Sequence, residues 1–191
     1  MQLVAIKIVS IYACAVDNET NIDNIFLIGL MGAGKTTIGR QLARRLGKEF
    51  KDSDSEVEQR TGVGIDVIFD IEGEQGFRRR ETEVLRELVA TPKIHGIVLA
   101  TGGGAVLAPE NRQLLKENGF IIYLKSSAEH LADRLRLDRR RPLLQSGDKL
   151  AKIRDLMARR EPVYEALADL VVETNERSIY LVVSEISNKI T

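Results

Sequence analysis

Gly29-Leu30-Met31-Gly32-Ala33-Gly34-Lys35-Thr36 follows a short apolar run, Ile25-Phe26-Leu27-Ile28, and leads into Ile38, Leu42, Ala43 and Leu46 at helical spacing, closed by Gly47. The octapeptide satisfies GxxxxGK[ST] at every position. A strand before it and a helix after it are the context in which that pattern forms a phosphate cradle. Small residues let successive backbone N–H groups converge on phosphate oxygens, and the start of the helix adds partial positive charge. In such a cradle Gly32, Ala33 and Gly34 supply amides, and Lys35 reaches the β- and γ-phosphates as a point charge. The Thr36 hydroxyl serves Mg²⁺, and Thr37 donates to a nearby phosphate oxygen.

Reading outward, the chain alternates strands and helices. Glu49 to Ser53 reads as a second strand running into Asp52-Ser53-Asp54, and Glu56 to Arg60 as a helix stopped by Thr61-Gly62. Residues 65–90 carry helical spacing interrupted near Gly73 and Gly76. Ile97 to Ala100 is a buried strand stopped by Gly102-Gly103-Gly104, and Pro109 opens a helix reaching about Asn118. Phe120 to Leu124 is a fourth strand, followed by a helix over Ala128 to Arg136 and a mobile loop over 137–148. Leu150 to Arg160 is helical with Pro162 as its interruption, Leu170 to Val172 is the last strand, and Ile179, Val182, Val183, Ile186 and Ile190 line an amphipathic final helix. This alternation specifies a parallel α/β sandwich in one domain.

Composition narrows the function classes. With 191 residues, 43% hydrophobic and 29% charged, the chain has the make-up of an ordinary globular domain. Basic and acidic residues number 28 each, so no global field favours nucleic acid or an anionic membrane. Cys14 is the one cysteine, and His95 and His130 lie far apart, which disfavours a disulfide, a zinc cluster or a histidine triad. Residues 1–23 stand apart. Leu3 to Val16 is mostly apolar, and Ala13-Cys14-Ala15 looks like a small-residue cleavage site, but the run is short for a membrane helix and Lys7 is its one charge. It reads as an added strand or an extension of unknown role, with a secretory signal as the alternative.

The strand ending at Ala100 runs into Thr101-Gly102, so it lacks the Asp with which many P-loop proteins hold Mg²⁺, and Asn-Lys-x-Asp is absent as well. Both features point away from a GTPase or a motor. Asp52 and Asp54 are then the candidate acids. At i and i+2 on a strand they would share a face, one assisting Mg²⁺ and the other accepting a hydroxyl proton; a solvated turn or helix cap is the plain alternative. Gly102-Gly103-Gly104 is either a tight turn or a place where a ligand approaches backbone amides. Arg78-Arg79-Arg80, Arg159-Arg160 and the group Arg134, Arg136 and Arg139 to Arg141 are solvated faces paired with Glu74, Glu81, Glu83 and Glu161, or guanidinium partners for a carboxylate and a lid arginine.

These segments, taken in order, resemble shikimate kinase, particularly the bacterial isoform I type. The resemblance runs from about Asn24 to Thr174 and beyond. It is carried by the P-loop with Thr37-Ile38-Gly39-Arg40, by Asp52-Ser53-Asp54 and Gly73-Glu74-Gln75-Gly76-Phe77-Arg78, by Ala100-Thr101-Gly102-Gly103-Gly104, and by Arg141-Pro142-Leu143-Leu144 and Arg159-Arg160-Glu161-Pro162-Val163-Tyr164. It implies a P-loop kinase, a three-layer α/β sandwich in the nucleoside-monophosphate-kinase style. The sheet would be five-stranded and parallel, in a single domain over 24–191 with a substrate-binding segment at about 54–80 and a mobile lid at about 134–150. It implies transfer of the ATP γ-phosphate to shikimate, giving shikimate 3-phosphate and ADP on the way to chorismate and aromatic amino acids. Asp54 would contact the acceptor hydroxyls as base, Asp52 would support Mg²⁺ with Thr36, and Arg78 and Arg160 would hold the acceptor carboxylate against Gly102 to Gly104. Arg141 would be the lid arginine, and Arg134 would lie against the adenine; the segment holding Arg177 matches loosely. The expected setting is a cytoplasmic monomer that takes ATP and shikimate and binds neither nucleic acid nor membrane. Another small-metabolite kinase, such as a gluconate kinase, and a regulatory nucleotide-binding module without transfer chemistry are the rival readings.

Overall fold

Ile25–Ile28 (β1) is buried at every residue, the pattern of a strand covered on both faces. A computed structural model describes residues 23–90, 96–136 and 148–190 and shows why. β1 is the centre of a five-stranded parallel sheet with β2 (Glu49–Asp52), β3 (Ile97–Ala100), β4 (Phe120–Lys125) and β5 (Leu170–Glu173), in the order β2-β3-β1-β4-β5. Around it lie α1 (Lys35–Leu46), α2 (Ser53–Thr61), α3 (Ile65–Ala90), α4 (Pro109–Asn118), α5 (Ala128–Arg134), α6 (Lys149–Leu167) and α7 (Ile179–Ile190). The β1-to-β2 crossover runs across the sheet in the opposite direction from the later ones. Right-handed connections therefore put α1 on one face, with α7 against it, and α3, α4 and α6 on the other. The order reverses between β1 and β3, which opens a crevice at their carboxyl ends. The P-loop leaves β1 there and the triple glycine leaves β3.

The element boundaries follow the sequence reading closely, with three corrections. Pro162 does not interrupt its helix: α6 runs unbroken from Lys149 to Leu167. Its lost N–H is outweighed by buried Ile153, Arg160, Tyr164 and Leu167, which hold the helix on both sides of the proline. In α3 the break lies at Gly73 alone, whose φ of 69° and ψ of −179° leave helical space, while Gly76 sits buried inside the second half. Ser53 begins α2 rather than ending β2, because the Asp52 side chain caps the helix by accepting from the amides of Asp54 (3.1 Å) and Ser55 (3.4 Å). The two aspartates are thus brought together by a helix start and not by strand alternation. Among the described residues, no helix is long and apolar enough to cross a membrane. The segment before Asp23, His95, and most of the expected lid with Arg141 lie outside the described residues.

Candidate active site

Gly34 brings no capping side chain to the start of α1, and Gly34 to Thr37 line the crevice. Lys35, the first residue of α1, donates from Nζ to the carbonyls of Gly29 (2.7 Å) and Leu30 (3.0 Å), curling the loop around an ammonium. A cavity of about 450 Å³ opens over this turn, bordered by Lys35, Thr36, Thr37, Asp52, Asp54, Gly103, Arg134 and Arg177. The sequence candidates from both ends of the chain therefore meet in one hollow.

The Thr36 hydroxyl donates to Asp52 Oδ2 at 2.7 Å, while Oδ1 of the same carboxylate caps α2. A hydroxyl and a carboxylate oxygen side by side, bordering a cavity beside a phosphate loop, form a hard-oxygen donor set that suits Mg²⁺. Among the described residues no group of three or more His, Cys, Asp or Glu side chains forms a metal cage.

Asp54 stands in the first turn of α2 and approaches the triple glycine. A Cβ at Gly102 would lie 2.8 Å from Asp54 Oδ1 and would collide with Glu81 Oε1; a Cβ at Gly104 would collide with the Arg78 guanidinium. Two carboxylates and an arginine are packed against the turn in space that a side chain would otherwise take. Gly102 N–H donates to Ser53 Oγ at 2.8 Å, tying the turn to α2. Arg160, only 5% exposed, comes from α6 on the other side and donates from Nη1 to Gly103 O at 3.2 Å. Arg78 of α3 and Arg160 of α6 thus close on one glycine turn and leave the solvated face, while Arg80 and Arg159 stay on it.

Glu81 is one of the glutamates the sequence offered as partners for the arginine runs, and it does pair with Arg78, but from a buried position that spacing did not show. Its side chain is fully buried and accepts from Arg78 Nη1 at 2.7 Å, while Arg78 Nη2 also pairs with Glu74 at 3.0 Å. Burial pulls the Arg78 guanidinium down, but Glu81 and Glu74 together hold it above its ordinary value. Burial lifts the Glu81 carboxyl to about 7 from an ordinary 4.5; Arg78 opposes the shift and Asp54 adds to it. The i, i+3 spacing of Arg78 and Glu81 was the available signal; their burial was not visible.

The shift fixes a sign. Below about 4.5 both folded and unfolded chains hold the Glu81 proton. Between about 4.5 and about 7 the unfolded chain releases it first, so stability falls as pH rises, and above about 7 the whole penalty is present. Glu81→Gln should therefore gain on the wild type by roughly 3 kcal/mol between pH 4 and pH 8. Urea unfolding of both proteins at the two pH values measures this. A stability difference that does not change with pH would contradict it.

On the far side of the P-loop, Arg134 ends α5 and donates to the carbonyls of Gly32 (3.2 Å) and Thr174 (3.3 Å), bridging the loop to the segment after β5. Arg177 donates to Glu173 O at 3.0 Å and pairs with Glu185. Both border the cavity, so the loosely matched segment does reach the site.

A P-loop on one strand, a glycine turn flanked by two arginines on its neighbour and an acid between them define a P-loop kinase, an ATP-dependent phosphotransferase. Comparison with known proteins gives the particular family. The family profile described as Shikimate kinase matches residues 31–191. The shikimate kinase of Thiobacillus denitrificans is 59% identical over 157 residues, covering 82% of this chain and 84% of that one, and that of Bordetella avium is 54% identical over 166 residues, covering 87% and 78%. Among solved structures, shikimate kinase from Acinetobacter baumannii in complex with shikimate superposes with a TM-score of 0.84 at 46% identity, covering 91% of this chain and 97% of that one. The chain belongs to the shikimate kinase family.

Proposed function

We propose that the chain carries out its family's reaction, transfer of the γ-phosphate of ATP to the 3-hydroxyl of shikimate, through the residues gathered at the β1–β3 crevice. The observation that carries this reading is the convergence of Arg78 and Arg160 on the Gly102–Gly104 turn, within reach of Asp54 and across the crevice from Lys35. Two guanidinium groups beside a side-chain-free turn suit a carboxylate of a small ring, which a polyol kinase would not need. ATP occupies the 450 Å³ cavity, with Lys35, Thr36, Thr37 and the amides of Gly32 to Gly34 on its phosphates and Arg134 and Arg177 on the adenine side. Asp54 accepts the proton of the acceptor hydroxyl as its oxygen attacks the γ-phosphorus and the bond to the β-phosphate oxygen breaks.

Thr36 and Asp52 would hold Mg²⁺, which when bound neutralises charge on the β- and γ-phosphates. Arg141 is assigned to the phosphates on the family resemblance alone. The acceptor segment corresponds to about 54–80 within one domain, 24–191, and the working form is taken as a monomer. Use of ATP suits the cytoplasm.

The direct test is ADP release with ATP and Mg²⁺, with and without shikimate. Turnover that depends on shikimate supports the reading, and turnover with gluconate instead overturns the acceptor assignment. ATP binding with no turnover on any acceptor favours a regulatory module. Arg78→Lys tests the pocket itself. It keeps the charge but loses the planar fork, so shikimate KM should rise roughly 10–100-fold, about 1.5–3 kcal/mol, with ATP KM unchanged. A rise confined to ATP would place Arg78 on the wrong substrate.

A further inference from the structure

Tyr164 is only 1% exposed and lies one helical turn beyond Arg160 on α6, so both side chains leave the same face of the helix. Its hydroxyl donates to Gly103 O, the carbonyl that also accepts from Arg160 Nη1 at 3.2 Å. That carbonyl therefore uses both of its lone pairs on α6. In a planar trans peptide the C=O and the following N–H point to opposite sides. Fixing Gly103 C=O toward α6 consequently aims the Gly104 N–H away from α6, and the Arg78 guanidinium packs against the same glycine, where a Cβ would collide with it. Ala105 N–H donates to Gly102 O at 3.1 Å and closes the turn across this peptide, but with no side chains present the central peptide can still flip within the closed turn. Contacts from outside the turn set which way it faces.

The tyrosine is suited to that task. Its ring packs against Tyr123 of β4 with centroids 5.1 Å apart, which leaves the hydroxyl little freedom. Burial pushes the hydroxyl up to about 12, so it stays protonated and donates throughout the working pH range.

We infer that Tyr164 is a positioning residue for the acceptor: its hydroxyl locks the Gly103–Gly104 peptide in the orientation that, with Arg160 and Arg78, receives the acceptor carboxylate. This rests on the acceptor-pocket reading above. Tyr164→Phe keeps the ring against Tyr123, and so the fold, and removes only the donor. Shikimate KM should rise about tenfold, the size of one net hydrogen bond of about 1.4 kcal/mol, while ATP KM and kcat stay within about twofold. Tyr123→Phe takes a hydroxyl from the same ring pair but none from Gly103, and should leave shikimate KM within about twofold. A Tyr164→Phe protein with a lower Tm and unchanged shikimate KM would make the tyrosine purely structural and overturn the inference. Equal KM rises in the Tyr164 and Tyr123 variants would overturn it too, by tracing the effect to the ring pair. Arg78→Lys, measured alongside, separates the two readings: if it raises shikimate KM and Tyr164→Phe does not, this inference alone fails. If neither does, the pocket reading fails and takes this inference with it. A rise in Tyr164→Phe alone supports the turn as the acceptor site and overturns only the role of Arg78.

Discussion

Asp54→Asn is expected to lower kcat by roughly 10²–10⁴-fold with the fold intact. The amide has the size of the carboxylate and can still accept a hydrogen bond, but it cannot take the proton that the acceptor hydroxyl gives up. The structure argues that the change is mild in every other respect. Asp54 contributes to the cap of α2 through its backbone N–H, which Asp52 Oδ1 accepts, so the cap survives the substitution. Its negative charge is one of the influences holding the Glu81 carboxyl up, so neutralising it relieves a buried repulsion. A coupled assay of ADP release gives kcat, and a thermal melt checks the fold. A well-folded variant retaining more than about a tenth of wild-type kcat would remove Asp54 from the role of base.

Lys35→Ala should lower kcat/KM by roughly 10²–10³-fold, corresponding to about 3–4 kcal/mol of lost charge stabilisation. Phosphoryl transfer asks little covalent chemistry of the protein; position and charge on the transferring group dominate. Lys35 serves both needs. Its Nζ bonds to Gly29 O and Leu30 O draw the loop around the ammonium, and the same ammonium faces the cavity that would take the phosphates. Measured with saturating shikimate, the loss should appear in kcat as well as in ATP KM. A change confined to ATP KM would mean that Lys35 only binds the ground state.

The parts of this site legible beforehand are those that one short stretch of chain builds alone. The P-loop is contiguous, and its strand, turn and helix carry their own signals. Asp52 and Asp54 do border the cavity together, and the helix cap that stood as the plain alternative is what Asp52 makes. Strand alternation was expected to align the two, whereas Asp52 caps α2 and holds Thr36, and Asp54 faces the triple glycine. Pro162 was given its usual weight as a helix breaker. Packing of Arg160 and Tyr164 onto the core reversed that outcome, a tertiary effect that exceeded a local propensity.

What the sequence by itself determined is the phosphate cradle, the α/β alternation and the family pattern, because each is set by residues within one turn or by the order of apolar runs. Which arginines face inward was decided only by the tertiary structure. Arg78, Arg79 and Arg80 are alike in type and adjacent, yet Arg80 pairs with Glu72 at the surface while Arg78 is drawn down onto buried Glu81. The rotation of α3 about its axis makes that choice, and it is fixed by apolar residues such as Phe77, Val84 and Leu85 seeking the core. The Gly103 carbonyl finds its two donors in the same way, through residues 57 and 61 positions away that only the sheet's crossover brings near. Burial sets such arginines, glutamates and tyrosines apart from their exposed neighbours, and burial depends on the whole chain.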